Sequence, residues 1–495
     1  MARTVGSGLS KSLILKGLQC QKALWLAKHP PDFEFPPQPD LEARFAAGTE
    51  VGILAQQLFP GGVEVPYAGL SFPAQLARTK ELIDNGCEVI YEASFSFSAI
   101  FVKVDILVKD RDHGDAWRIY EVKMGTGVKP VNLDDVAVQQ YVLNGCGLSV
   151  SGSFLVHIDN SYLRCGALEV GKLFHAEDIS TQVAARQQSL PEIVREFRQT
   201  MGESKEPIID IGPQCNDPYA CDYIPYCWQH IPENSVFDLR GNGIKKFDCY
   251  HKGLIKFEDL PLDLLNAKQR QQVESTLDQQ NSIDTKKIKE FVETLWYPLC
   301  HLDFESFNAP IPKFDNTRPY QQVPFQYSIH LQQSSGAEPE HLEYLASPNV
   351  DPRRELTERL LADIPENACV LTYNQAFEKG VLRNLAELFP DLAEALKLRI
   401  ANVRDLMLPF RRRDIYRWQM RGSYSIKEVL PAMVPELSYK GLEIADGQAA
   451  MQAYHQMCAL EDPGSIAELR KAMLKYCELD TLAMVRILSA LVDLV

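Results

Sequence analysis

Two sets of acidic residues in this chain have the types and spacing for metal-assisted phosphodiester hydrolysis. The first is Asp105 in FVKVDILVK, followed by Glu121 and Lys123 in RIYEVKMG. The second is Asp303 and Glu305 in HLDFES, followed far downstream by Tyr476 and Asp480 in YCELD. Such chemistry needs carboxylates to hold Mg²⁺ or Mn²⁺ against the scissile phosphate, and a group to place the attacking water. Lys123 lies two residues after Glu121 and so faces the same side of a strand, where an ammonium can orient water or offset phosphate charge. Asp303 and Glu305 are likewise two apart on a strand. Tyr476 and Asp480 are four apart and share one helix face, which lets the tyrosine position the nucleophile. The plain alternative for the first set is a solvated strand face, since Asp…Glu-x-Lys is a short pattern. For the second it is an inactive scaffold, because folds outlast their chemistry.

The cysteines form a third constellation. Cys215, Cys221 and Cys227 are spaced C-x5-C-x5-C in PQCNDPYACDYIPYCW, and Cys20 lies far away in GLQCQKALWL. Four thiolates can hold a [4Fe–4S] cluster. The spacing is not the C-x2-C of a zinc ribbon, although zinc, or four ordinary thiols, are the alternatives. A cluster here would be structural, because metal binding across such a loop is folding free energy. The other eight of the twelve cysteines are scattered and are expected as small buried residues.

These residues must be carried by definite elements. Residues 36–59 predict a helix ending at FPGG. Residues 88–95 and 99–109 alternate apolar and polar, predicting two strands. RDHGD is the turn after them, and WRIYEVKM is a third strand. VNLDDVAVQQYVLNGCG predicts a helix with Asn132 or Asp134 near its cap and glycines at its end. SGSFLVHI is a further strand, and 178–200 a further helix. In residues 228–295, Leu264, Leu265, Val273 and Leu277 recur at helical spacing, predicting a helical linker. A second α/β segment begins near 296, with strands in LWYPLCHLDFES, QVPFQYSIHLQQ and ACVLTYN. The helix FEKGVLRNLAELF follows, and one or two helices close the chain. No internal repeat is visible.

With 495 residues and 45% hydrophobic content, the chain can bury two or three cores. Its net charge of −15 argues against a nonspecific nucleic-acid coat protein. It does not exclude a nuclease, whose metal ligands are themselves acidic. RRRDIYRWQMR (411–421) is a basic, aromatic-interleaved stretch, with a solvated surface loop as its plain reading. No apolar run reaches the ~18–20 residues of a membrane helix, and the first residues have no convincing signal-peptide pattern. The expectation is a soluble, cytoplasmic protein without a membrane partner.

With Gln139 and Tyr141 on the helix after Lys123, and the cysteines flanking the set, residues 8–230 resemble the RecB-like branch of PD-(D/E)xK nucleases, especially CRISPR-associated and AddB-type members with an iron–sulfur cluster. In that family one early cysteine and a late trio staple the two ends of the domain, which implies this role for Cys20, Cys215, Cys221 and Cys227. The resemblance implies metal binding and cleavage by Asp105, Glu121 and Lys123. The family often has a histidine ligand after a glycine in its first helix; GTEVG offers only Glu50 there. Residues 296–495 resemble DEDD exonucleases of the ribonuclease H-like fold, in the Tyr-x3-Asp subgroup and close to bacterial YprB-like domains. In the middle motif TYNQAFEKG, with Asn374 and Phe377, Glu378 stands where the family has aspartate. Asp405 and Lys427 are unassigned, with a scaffold role expected. The implied α/β architecture is a restriction-endonuclease-like domain (1–232), a helical connector (233–295) and a ribonuclease H-like domain (296–495). The implied function is a bacterial metal-dependent nuclease and exonuclease acting on nucleic acid, DNA rather than RNA. The alternative is a non-catalytic nucleic-acid- or partner-binding protein built on the same folds.

Overall fold

The computed structural model describes residues 8–37 and 40–495. The chain is α/β and divides into two compact units. The first runs through His230 and also takes in Ala309–Tyr320; the second comprises Ile231–Asn308 and Gln321–Val495.

The first unit is built on a seven-stranded sheet. Its strands are β1 (Leu9–Ser10), β2 (Val63–Glu64), β3 (Val89–Phe97), β4 (Ile100–Lys109), β5 (Trp117–Lys123), β6 (Val150–Ile158) and β7 (Phe174–Asp178). The order is β2-β3-β4-β5-β6-β7, with β1 pairing parallel to β4. Strands β3, β4 and β5 form an antiparallel meander. The β3–β4 turn, Ser98-Ala99, has φ of 48° and 49°; a two-residue turn with both φ positive follows the twist of its strands. Strands β5 and β6 are parallel, joined through the helix Pro130–Gly145. Alternation sorts β5 cleanly. Ile119 packs on the face covered by that helix, and Tyr120 and Val122 on the face covered by the helix Asp40–Ala55. Glu121 shares the parity of Ile119 and is therefore driven under the Pro130–Gly145 helix.

Several local expectations change. The helix predicted over 36–59 runs Asp40–Ala55 and then tightens to a 3-10 turn, Gln56–Leu58; positions 38 and 39 lie outside the described residues. The helix predicted over 178–200 is broken into Ser180–Ala184 and Leu190–Gly202, the second restarting at Pro191. Helices Lys11–Gln19, Gln21–Lys28 and Phe72–Asp84 were not anticipated.

The second unit begins with residues 231–295. They bury their own cluster of Val236, Leu239, Cys249, Phe257, Leu260, Leu265 and Val273. Leu264 and Leu277 of the expected helical stripe are instead exposed: Leu264 falls in a 3-10 turn ahead of the helix Ala267–Asp278, and Leu277 lies in that helix's last turn. A two-stranded sheet pairs β8 (Ser282–Ile283) with β14 (Ile415–Tyr416). The main sheet has five strands in the order β11-β10-β9-β12-β13. These are β9 (Leu299–Phe307), β10 (Val323–Gln332), β11 (Glu340–Leu345), β12 (Cys369–Thr372) and β13 (Val403–Asp405). Pairing is antiparallel through β9, β10 and β11, and parallel through β9, β12 and β13. The closing segment is one 30-residue helix, Pro463–Val492, packed on β9 and β10. On β9, Cys300, Leu302 and Phe304 point into one core, which turns Asp303 and Glu305 toward that closing helix.

The basic stretch 411–421 is scaffold in large part. Ile415, Tyr416 and Met420 are buried, Arg413 stacks 4.0 Å over the Tyr416 ring, and Arg417 donates to the Ala432 carbonyl. Among the described residues, no helix is long and apolar enough to cross a membrane.

Candidate functional site

In the first unit, Asp105 of mid-β4 comes together with Glu121 and Lys123 at the end of β5. The Asp105 carboxylate accepts the Val122 N–H at 2.7 Å, which ties the two strands at the point where their pairing ends. Glu121 is almost fully buried. Its Oε1 accepts from Lys123 at 2.5 Å and its Oε2 from Gln139 at 2.6 Å. Two further groups had no sequence signal. Asp135 accepts from Lys123 at 2.9 Å and from Gln139 at 3.0 Å. Lys11 reaches in from the start of its helix, 3.1 Å from Glu121 and 2.8 Å from Asp135. Asp135 and Gln139 are one helical turn apart, so the Pro130–Gly145 helix presents both to the strand ends. Burial, then the Asp105 and Asp135 charges, push Glu121 up to about 7 against the pull of the two lysines. Burial opposes charge on Lys11 and Lys123, yet the Glu121 and Asp135 carboxylates hold both above the ordinary lysine range. Tyr141 packs against Phe97 instead of entering the site, and Glu50 is exposed on its helix.

In the second unit, Asp303, Glu305 and Asp480 each offer a carboxylate oxygen within 4.8 Å of the others, a geometry that can hold a cation. They line a cavity of about 490 Å³ together with Tyr476, Asn308 and Gln448. Tyr476 and Asp480 sit on consecutive turns of the closing helix, and both are buried. Asp480 also accepts from the Tyr439 hydroxyl at 2.6 Å, a contact the sequence did not suggest. Gly447 lies against Glu305: a Cβ there would meet Glu305 Oε2 at 3.3 Å. Glu378 is buried, outside the group of three carboxylates, and its Oε2 has no hydrogen-bond partner. Its charge still acts on Asp303. Asp405 is a scaffold group, accepting the backbone N–H of Asn374 and Met407. Lys427 is a cation whose field reaches Glu305 and Asp480.

The four cysteines line one small cavity of the first unit. Cys20 sits at the junction of helices Lys11–Gln19 and Gln21–Lys28. Cys215 and Cys227 end short helical turns, and the Cys221 N–H bonds the Cys215 carbonyl at 2.8 Å. Gln19 clips the loop to the first helix by donating to the carbonyls of Gln214 and Tyr219. Burial raises the Cys221 thiol, and pushes Cys227 up to about 11 despite nearby Lys22.

The acidic sites make stability depend on pH in a definite direction. Burial and then mutual repulsion raise Asp303 and bring Glu305 to about 8; burial brings Glu378 to about 8. Burial brings Asp480 to about 6 against the Tyr439 and Tyr476 hydrogen bonds. Carboxyls with raised folded pKa values bind more protons folded than unfolded, so their contribution is present at low pH and is lost as pH rises through 6–8. The metal-free protein is therefore expected to melt at least ~5 °C lower at pH 8 than at pH 5.5. Mn²⁺ should recover more at pH 8. Thermal scans of EDTA-treated protein check this, and a flat profile would mean that these carboxyls are already ionised.

Residues 300–425 match a family described only as a domain of unknown function, DUF2779. The chain is also similar to the uncharacterised protein UU173 of Ureaplasma parvum, 27% identical over 215 residues. That stretch covers 38% of this chain and 30% of the length of that relative.

Proposed function

We propose that the chain is a metal-dependent nuclease with two phosphodiesterase centres, processing DNA ends or single strands. In this reading the first unit is restriction-endonuclease-like and the second a ribonuclease H-like exonuclease. The observation that carries it is the convergence of Asp303, Glu305 and Asp480 in a cavity that Tyr476 also lines. Burial raises the Asp303, Glu305 and Asp480 carboxyls, a cost that a cation held among them would offset. Mg²⁺ or Mn²⁺ would be held by Asp303, Glu305 and Asp480, and in the first unit by Asp105 and Glu121. There it would polarise the phosphate and lower the pKa of bound water. The protein's own part is positional. Tyr476 orients the nucleophile, Tyr439 fixes the Asp480 carboxylate, and Lys123 offsets charge in the first centre. Cys20, Cys215, Cys221 and Cys227 would hold a [4Fe–4S] cluster. Zinc, tetrahedral with ~2.3 Å bonds to the same four thiolates, is the alternative.

The test is end-labelled single- and double-stranded DNA and RNA with Mg²⁺, Mn²⁺ or EDTA. Cation-dependent shortening is expected. One observation favours a second reading, a nucleic-acid-binding module: Glu378 lies outside the three-carboxylate group. Glu378→Asp is therefore informative. A roughly tenfold gain in trimming marks a detuned exonuclease. If neither the wild type nor this variant trims with any cation, the second unit is a binding module.

A further inference from the structure

The first centre holds two ammoniums where its Asp…Glu-x-Lys pattern supplies one. We propose that Lys11 takes the place of a second divalent cation, so that this centre works with a single one; the proposal rests on the nuclease reading of that site. Lys11 is firmly anchored. It opens the helix Lys11–Gln19 directly after β1, and β1 pairs with β4, the strand that carries Asp105. Ser10 caps the helix by accepting the Leu13 N–H. The Lys11 side chain is only 23% exposed.

Its contacts fill the positions a cation pair would use. Two-cation centres need bridging carboxylates, with the ions roughly 3.5–4 Å apart. Here Glu121 Oε1 is shared by Lys11 and Lys123, and its Oε2 accepts from Gln139. Asp135 gives Oδ1 to Lys11 and Oδ2 to Lys123. The two carboxylates are thus already bridged, by ammoniums. Asp105 is different: its carboxylate accepts the Val122 N–H. Charge points the same way. Three carboxylates against two ammoniums leave one negative charge; one divalent cation makes it one positive, and a second would leave three positive charges in a buried site. Removing Lys11 frees Glu121 and Asp135 and restores the charge that a second cation needs.

The experiment counts Mn²⁺ by electron paramagnetic resonance in the full chain carrying Asp303→Asn and Asp480→Asn, which silences the other centre. One Mn²⁺ per chain is expected with Lys11 in place, and two with Lys11→Met. Lys11→Arg, which keeps the charge, should still bind one. Two Mn²⁺ with Lys11 intact would overturn the proposal even if Lys11→Met fails to fold. So would a Lys11→Met chain that folds and keeps one ion at unchanged affinity, which marks Lys11 as structural. If the count changes from one to two but the chain with Lys11 never cleaves, the nuclease reading fails and the role of Lys11 stands. No Mn²⁺ at all overturns both.

Discussion

Replacing Asp480 by asparagine is expected to lower cation-dependent trimming of nucleic-acid ends by about 10³-fold, with the fold intact. The substitution keeps the shape of the side chain and an oxygen that can accept from Tyr439, which now donates to Asp480 at 2.6 Å. What it removes is one of the three carboxylates that converge in the second unit. Charge stabilisation by a cation is worth several kcal/mol, and each ~1.4 kcal/mol is tenfold in rate. Asp303→Asn should do the same. Asp105→Asn should leave trimming untouched and abolish whatever cut the first centre makes. Tyr476→Phe removes a hydroxyl but no ligand, so a loss nearer tenfold is expected. Steady-state rates on end-labelled and on circular substrates separate the two centres. Undiminished trimming in Asp303→Asn and Asp480→Asn would remove the exonuclease assignment.

Substituting Cys221 by serine should strip the protein of iron and unfold the first unit at a much lower temperature. Bound to a cluster, the four cysteines would tie the helix junction at residue 20 to the turns at 215–227, which line one cavity. By the chain-entropy estimate, a tether across a loop of this size is worth roughly 5 kcal/mol. Free thiols form no bond across that loop, and burial raises both the Cys221 and the Cys227 thiols. Anaerobically purified wild type is expected to contain about four irons and four sulfides per chain. Calorimetry of Cys221→Ser should move one of two transitions and leave the other, that of the second unit, in place. One zinc without sulfide would identify the zinc alternative. Protein with neither metal, and melting unchanged in the variant, would reduce the cysteines to ordinary thiols.

What the sequence determined by itself were relations a regular element enforces. Asp303 and Glu305 share a face because strands repeat every two residues. Tyr476 and Asp480 share one because a helix repeats every 3.6. The succession of strands along residues 88–158 followed from alternation and turn residues, and the grouping of Cys215, Cys221 and Cys227 from their close spacing. The tertiary structure alone decided the rest. Lys11 meets Glu121 across 110 positions of sequence, and no local pattern distinguishes it from a solvated lysine at a helix start. Asp135 sits beside Asp134 in the sequence; the first is buried, while Asp134 pairs with Arg186 near the surface, a choice made by how the helix rolls on the sheet. Residues 231–295 read as polar and helical, yet they bury a core, because 3-10 turns gather apolar side chains without a periodic stripe. Helical and strand periods fix which way a side chain points relative to its neighbours. They do not fix what stands opposite, and a metal or catalytic centre is made of what stands opposite.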